Sequence, residues 1–379
     1  MRDVAIIGLG TTKFGKQPET TFEKLGREAV TKAIKDAGVD SNQIQFAYCG
    51  TVYGGMCMSQ RILKEVGIAN REMVNVDNAC ASGSTALRCV WYAISSGLYD
   101  IGIAFGIEKL STLPPATLLP PEGDIQGEFG MMFPSHFAMI MLRYMEDFGI
   151  TREQIAKVSV KNHHNGCLNP YSQFKKEVTI EEVLNSRMIS DPLTLLECCP
   201  TSDGAAAVIL CSLPLAKKYT TKPVIIASSV LRSGDFLYNQ EDFTFSNATA
   251  KAAKEAYEIA GVGPEDIDLS EVHDPFAINE LLHYEELGFC GRGQAGVLID
   301  RGDTNIGGRI PVNPSGGLLS KGHPLGATGI SQIVEIALQL RGEAERMQIK
   351  NAKVGLAHLA GGTVTDLECG SCTVHILKS

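Results

Sequence analysis

The chain has 379 residues, 44% hydrophobic and 20% charged, with a net charge of -9. That length implies two or three domains or one duplicated one, and the acidic balance offers no footprint for nucleic acid or an anionic membrane. No apolar run reaches membrane-spanning length, and eleven cysteines at irregular spacings fit a reducing cytoplasm better than a secreted disulfide framework.

The chain opens on MRDVAIIGLG, a β-branched strand too short in its apolar run for a signal sequence. GLGTTKFG, Gly8 to Gly15, lacks the G-x-G-x-x-G spacing of a nucleotide loop and reads as a turn. A helical stretch follows and stops at Gly38, a candidate left-handed cap, before the strand end AYCG. VNVDNACASGSTALR, Val74 to Arg88, then sets Cys80 among small residues where a strand gives way to a helix. A helix N-terminus favours a thiolate, and small neighbours admit a carbonyl. The competing reading is a buried filler cysteine.

A long insertion, about 110–196, starts at the Pro-rich LPPATLLPPEGD and includes the Met-rich GMMFPSHFAMIMLRYM. Insertions of that length are covers or binding loops. The second half of the Met-rich run has the spacing of a core or interface helix, and Met131, Met132 and Phe133 are candidate pocket walls. The adjacent pairs His163-His164 and Cys198-Cys199 point apart on extended chain and make poor joint ligands. A lone C-x-x-C, Cys369 to Cys372, lacks the second half of a zinc site, and no metal site is expected. Arg187, Lys217, Lys218 and Arg232 are too scattered to define an anion-binding rim.

The chain repeats itself at long period. KPVIIASSV matches the opening strand, the helix before Gly261 matches the one before Gly38, and EVHD matches AYCG. HPLGATGISQIVEIALQLRG matches CASGSTALRCVWYAISSG, which sets His323 opposite Cys80. AKVGLAHLAGG matches YDIGIAFGIE, which sets His358 opposite Phe105, and His273 falls opposite Gly50. The chain therefore reads as two βα halves of an α/β layered fold, 1–221 with the insertion and 222–379. Equivalent turns converge in such a fold. Cys80 then meets His273, His323 and His358, the makings of nucleophilic thiol catalysis. Asn313 to Gly329, NPSGGLLSKGHPLGATG, is the most specific turn, since its glycines let backbone approach a ligand.

These segments resemble the thiolases along nearly the whole chain. NACASGS is similar to their nucleophile loop, GGLLSKGHPLGATG to their Gly-His-Pro loop, and CCPTSDGAAAVIL to the segment leading into the second half. EVHDPF resembles the His-Asp-Cys-Phe form of sterol-carrier-protein-type and archaeal-type thiolases. The usual Cys-x-Gly motif is missing. His358 stands where its cysteine is expected and Ala360 where its glycine is.

The resemblance implies a thiolase fold, two duplicated halves in α-β-α-β-α layers with a loop domain. It implies CoA-dependent cleavage of a 3-oxoacyl-CoA, or the reverse condensation, through an acyl-Cys80. His323 would ready the thiolate, His273 and His323 would hold the enolate oxygen, and the amides of Cys80 and Ala360 the tetrahedral oxyanion. His358 would return the proton. Coenzyme A is then a substrate and no tightly bound cofactor is needed. The implied substrates are acetoacetyl-CoA or a bulkier, aromatic one such as benzoylsuccinyl-CoA. The implied partners are a second copy, as homodimer or dimer of dimers, and a small zinc-ribbon/OB-fold subunit that binds CoA. Two other readings compete: a decarboxylating ketosynthase-like enzyme, and a degenerate thiolase serving as a scaffold subunit.

Overall fold

The computed structural model describes residues 1–113, 125–235, 242–364 and 369–379. The Pro-rich LPPATLLPPEGD lies, apart from its first residue, outside the described residues. Nine strands form one sheet: β1 Val4–Thr11, β2 Phe46–Gly50, β3 Glu72–Val76, β4 Ile101–Lys109, β5 Asp203–Ser212, β6 Val224–Arg232, β7 Leu269–Glu271, β8 Val354–Thr363 and β9 Cys369–Lys378. The helices that matter most here are α1 Phe22–Ala37, α2 Ser82–Ser95, α3 Phe133–Phe148, α4 Arg152–Leu168, α5 Asn247–Ala260, α6 Ala277–Glu286 and α7 Leu325–Arg341.

The strand order is β3-β2-β4-β5-β1-β6-β9-β8-β7. The repeat is visible in it. In the first half β2 and β4 are parallel, while β4–β5 and β5–β1 are antiparallel. In the second half β7 and β8 are parallel, while β8–β9 and β9–β6 are antiparallel. Among the described residues only β3, an edge strand paired to β2, has no counterpart. The two half-sheets join edge to edge through β1 and β6, with Ala5 opposite Ile225 and Ile6 opposite Val224.

Three apolar cores separate five layers. α1 covers one face of the first half-sheet through Leu25, Ala29, Val30 and Ala33, packed against Ala5, Ile7, Ile103 and Ala207. The opposite faces of both half-sheets sandwich α2 and α7, with Leu87, Val90, Ile330 and Ile333 between Ile6, Val208 and Val224, Leu377. α5 and α6 cover the outer face of the second half-sheet. The order is helix, sheet, helix, sheet, helix, as the thiolase fold requires.

Local chemistry sets the ends. Thr21 caps α1 by accepting from the Lys24 amide, and Gly38 closes it at φ 62°. α5 is capped by Ser246 and closed by Gly261 at φ 65°. Both glycines occupy the left-handed region that a Cβ disfavours. The Met-rich segment is a core helix on one face. Met141 and Tyr144 of α3 are fully buried in the second half's outer core, while Met139 and Leu142 stay exposed. Burying side chains of that size contributes roughly 1.5–3 kcal/mol each.

Candidate active site

The nucleophile turn is held by its own side chains. Ser82 Oγ accepts from the Asn78 amide at 2.9 Å and donates to the Ala79 carbonyl, while Asn78 Nδ2 donates to Thr85 Oγ1 at 3.0 Å. Ala79 is forced to φ 49°. A non-glycine residue there costs about 1–3 kcal/mol, which the surrounding bonds must offset. Cys80 follows, half-buried, just ahead of α2, whose N-terminus has no side-chain cap.

α2 and α7 meet at their N-termini. A Cβ on Gly83 would lie 2.3 Å from the Gly326 carbonyl oxygen, so the approach requires glycine. Because each helix is preceded by its catalytic candidate, this crossing brings His323 to Cys80. His323 Nδ1 lies 2.8 Å from Thr328 Oγ1, and that hydroxyl donates onward to the Pro324 carbonyl. Nδ1 therefore carries the hydrogen, and Nε2 keeps a lone pair. Buried Nε2 has no hydrogen-bond partner, and neither has Nε2 of His273.

His273 comes from the turn after β7. The Cys80 sulfur and one ring nitrogen of each of His273 and His323 lie within 4.8 Å of one another. The two rings meet edge to face, centroids 5.3 Å apart. Among the described residues these three donors are the only such group spaced for a metal ion as well.

Electrostatics set the resting state. Burial pushes the Cys80 thiol up to about 12, although the amides of Gly362 and of Cys80 itself pull it down. Burial lowers His323 to about 3, and burial together with the neighbouring histidines pushes His273 well below its usual value. Desolvation thus opposes the helix N-terminus and favours a neutral thiol beside neutral imidazoles over the expected thiolate.

Two expected participants stand outside this 4.8 Å group, although His358 is near enough to lower His273. His358 does not join the trio. Its ring is fully buried, with Nε2 3.3 Å from Thr249 Oγ1 and its edge against His283, centroids 4.3 Å apart. The amide at the Cys80 sulfur is that of Gly362, not Ala360. Ala360 sits inside the β8–β9 ladder opposite Cys372, whereas Gly362 turns at φ 63°. Gly361 between them packs so tightly that a Cβ would fall 2.2 Å from the Asn78 oxygen. Of the candidate pocket wall, Phe133 packs against the second half's outer core, and Met131 and Met132 are half-buried ahead of it.

Three positioning groups escaped sequence reasoning. Asp274 accepts from Leu318 N at 2.7 Å and Asn162 Nδ2 at 2.8 Å, clamping the π-helical turn Gly317–Lys321 that leads to His323. Glu108 accepts from the amides of Val52, Tyr53 and Gly326. Ser202 Oγ accepts from His323 N at 3.1 Å. Asp274 was legible in the His-Asp-Pro-Phe stretch itself; the others carry no local signal.

Fold and site together define an acyltransferase with a cysteine at its centre. The family description "Thiolase, N-terminal domain" matches residues 4–213, and "Thiolase C-terminal domain-like" matches 232–377. An acetyl-CoA acetyltransferase of Methanothermobacter thermautotrophicus is 45% identical, covering 100% of both chains. Sterol carrier protein 2 of Bos taurus is 40% identical over 94% of this chain and 70% of its own. The benzoylsuccinyl-CoA thiolase subunit BbsB of Thauera aromatica is 38% identical over 95% of each. Among solved structures, the Ltp2-ChsH2(DUF35) aldolase superposes with TM-score 0.87 at 26% identity, covering 100% of this chain and 98% of that one. The chain belongs to the thiolase family and has thiolase, acyltransferase, function.

Proposed function

We propose that the protein cleaves a 3-oxoacyl-CoA with coenzyme A, or runs the reverse Claisen condensation, through an acyl thioester on Cys80. One observation carries this reading: the Cys80 sulfur lies within 4.8 Å of two histidine nitrogens, and both Nε2 atoms are buried without partners. A neutral thiol needs a base at the moment of attack. His323 Nε2, its lone pair fixed by Thr328, takes that proton as the sulfur adds to the ketone. The amides of Cys80 and Gly362 hold the tetrahedral oxyanion. The carbon–carbon bond then breaks, and His273 and His323 steady the thioester oxygen of the departing enolate. Losing one such donor costs roughly 3–4 kcal/mol, two to three orders of rate.

Acetoacetyl-CoA is the first substrate to try, and the benzoylsuccinyl-CoA relative makes an aryl 3-oxoacyl-CoA the second. A homodimer or dimer of dimers, with a small CoA-binding subunit of zinc-ribbon/OB-fold type, is the assembly we propose. Support comes from a relative named as a subunit and a neighbour whose title pairs two components. The test is CoA-dependent cleavage of both substrates by wild type and Cys80→Ala. We expect cleavage to vanish in the variant, an acyl adduct on Cys80 to appear by rapid quench, and, with this chain assayed without the zinc-ribbon subunit, a chelator to leave the rate unchanged. Cleavage surviving in Cys80→Ala, or loss with the chelator for this chain alone, refutes the scheme.

A further inference from the structure

The scheme leaves one proton without an owner. The enolate released by bond cleavage must be protonated, and condensation must remove that proton again. Pro275, in the His273 turn, has no proton to give. His358 stands outside the trio, with Nε2 at Thr249 and its ring against His283, although its buried Nδ1 has no partner.

Cys199 lies on the stretch of backbone that joins the two histidine turns. Its amide donates to the Pro275 carbonyl at 2.8 Å, which fixes it against the His273 turn. Three residues on, Ser202 Oγ holds the His323 amide. The segment from Cys199 to Ser202 therefore ties the two histidine turns together. Cys198 faces the other way: its sulfur donates to the Thr194 carbonyl at 3.4 Å, and it packs on the second half's outer core. Successive side chains on extended backbone alternate, so Cys199 faces away from that core. Like Cys80, it keeps partial exposure.

We propose that Cys199 is the second acid–base group of the reaction, giving a proton to the enolate carbon in cleavage and removing it in condensation. The assignment rests on the thiolase reading above. In cleavage, the enolate's electron pair takes hydrogen from the Cys199 S–H, leaving an acetyl-CoA-type product and a Cys199 thiolate. The proton held on His323 passes to that thiolate and restores both groups. The incoming CoA thiol then gives its proton to His323 as its sulfur attacks the acyl-Cys80 carbonyl, and Cys80 leaves as sulfur anion and recovers that proton from His323. Burial, with Cys198, Asp274 and Cys80 beside it, holds the Cys199 thiol well above its ordinary range, which favours the protonated donor.

Two partial reactions separate the roles. Exchange of labelled CoA into acetyl-CoA needs Cys80 acylation alone. Exchange of the acetyl-CoA methyl hydrogens with D2O needs the second group. In Cys199→Ala, label exchange should stay within about fivefold of wild type. Deuterium uptake and acetoacetyl-CoA cleavage should fall by about 100-fold or more. Cys198→Ala should keep both. Deuterium uptake near the wild-type rate in Cys199→Ala overturns the assignment, and so does joint loss of both reactions, which marks a structural role. A wild type that performs neither overturns the proposed function first and this assignment with it.

Discussion

Cys80 shows how far a residue's setting can be read from its neighbours. Its place between a strand and a helix, among small residues, was plain in NACASGS. Its ionisation was not, because the helix N-terminus is local while desolvation depends on everything packed around the site. Burial dominates and lifts the thiol to about 12. A raised thiol pKa leaves the neutral form in place through the physiological range, and thiolate accumulates only as pH climbs towards that value. Alkylation of Cys80 by iodoacetamide, followed at that peptide by mass spectrometry, should therefore keep rising from about pH 7 to about pH 10 with no plateau. A plateau at neutral pH would show a preformed thiolate–imidazolium pair instead. The same distinction separates His358 from His323. Counting along matched strands put both at turn positions, but only His323 precedes a helix that crosses another at glycine.

Elements carried more of the signal than single residues. The repeat predicted matched strands and helices, and the two half-sheets share one pairing pattern. What the repeat does not encode is the register of the last motif. Gly362 turns at φ 63° between the paired Gly361 and Thr363, and the amide facing Cys80 lies two residues beyond the position that motif matching gave. Nor does it encode the clamp on the His323 loop, because Asn162 and Asp274 are 112 residues apart. Both Asp274 oxygens receive hydrogens, from Leu318, Leu319 and Asn162. Asp274→Asn turns one acceptor into a donor and sets it against another N–H. We expect a stability loss of about 1–3 kcal/mol. We also expect kcat to fall by about 10–100-fold with KM for CoA little changed, because a displaced His323 loses geometry rather than binding. Steady-state kinetics beside urea unfolding decide it: unchanged kcat with lowered stability would make the clamp a fold element only.

At the scale of the whole molecule, layering buries polar chemistry wholesale. With α2 and α7 sealed between two half-sheets and the site at their N-termini, six of the eight histidines are pushed below their ordinary value: His136, His163, His273, His323, His358 and His375. Burial leads in each. Below about pH 6.5 the unfolded chain protonates them and the folded one does not, so their contribution is whole above that pH and is lost as pH falls. Each such group gives a slope of about 1.4 kcal/mol per pH unit in that window. Glu108 and Glu271, raised to about 7 by burial, act in the opposite sense. The fold keeps their protons where the unfolded chain has released them, so their contribution is lost as pH rises towards 7. Burial also raises Glu197, and Asp274 well above its usual value, in the same sense. Four carboxyls against six imidazoles still leave the histidines the larger set. Urea unfolding should show clearly lower stability at pH 5 than at pH 7. His375→Asn, which removes a buried imidazole bonded to Ser229 on the far side of the second half-sheet's joint with β6, should shrink that difference by about one proton's slope. Equal or greater stability at pH 5 would mean that the buried carboxyls, not the histidines, govern how this fold answers acid.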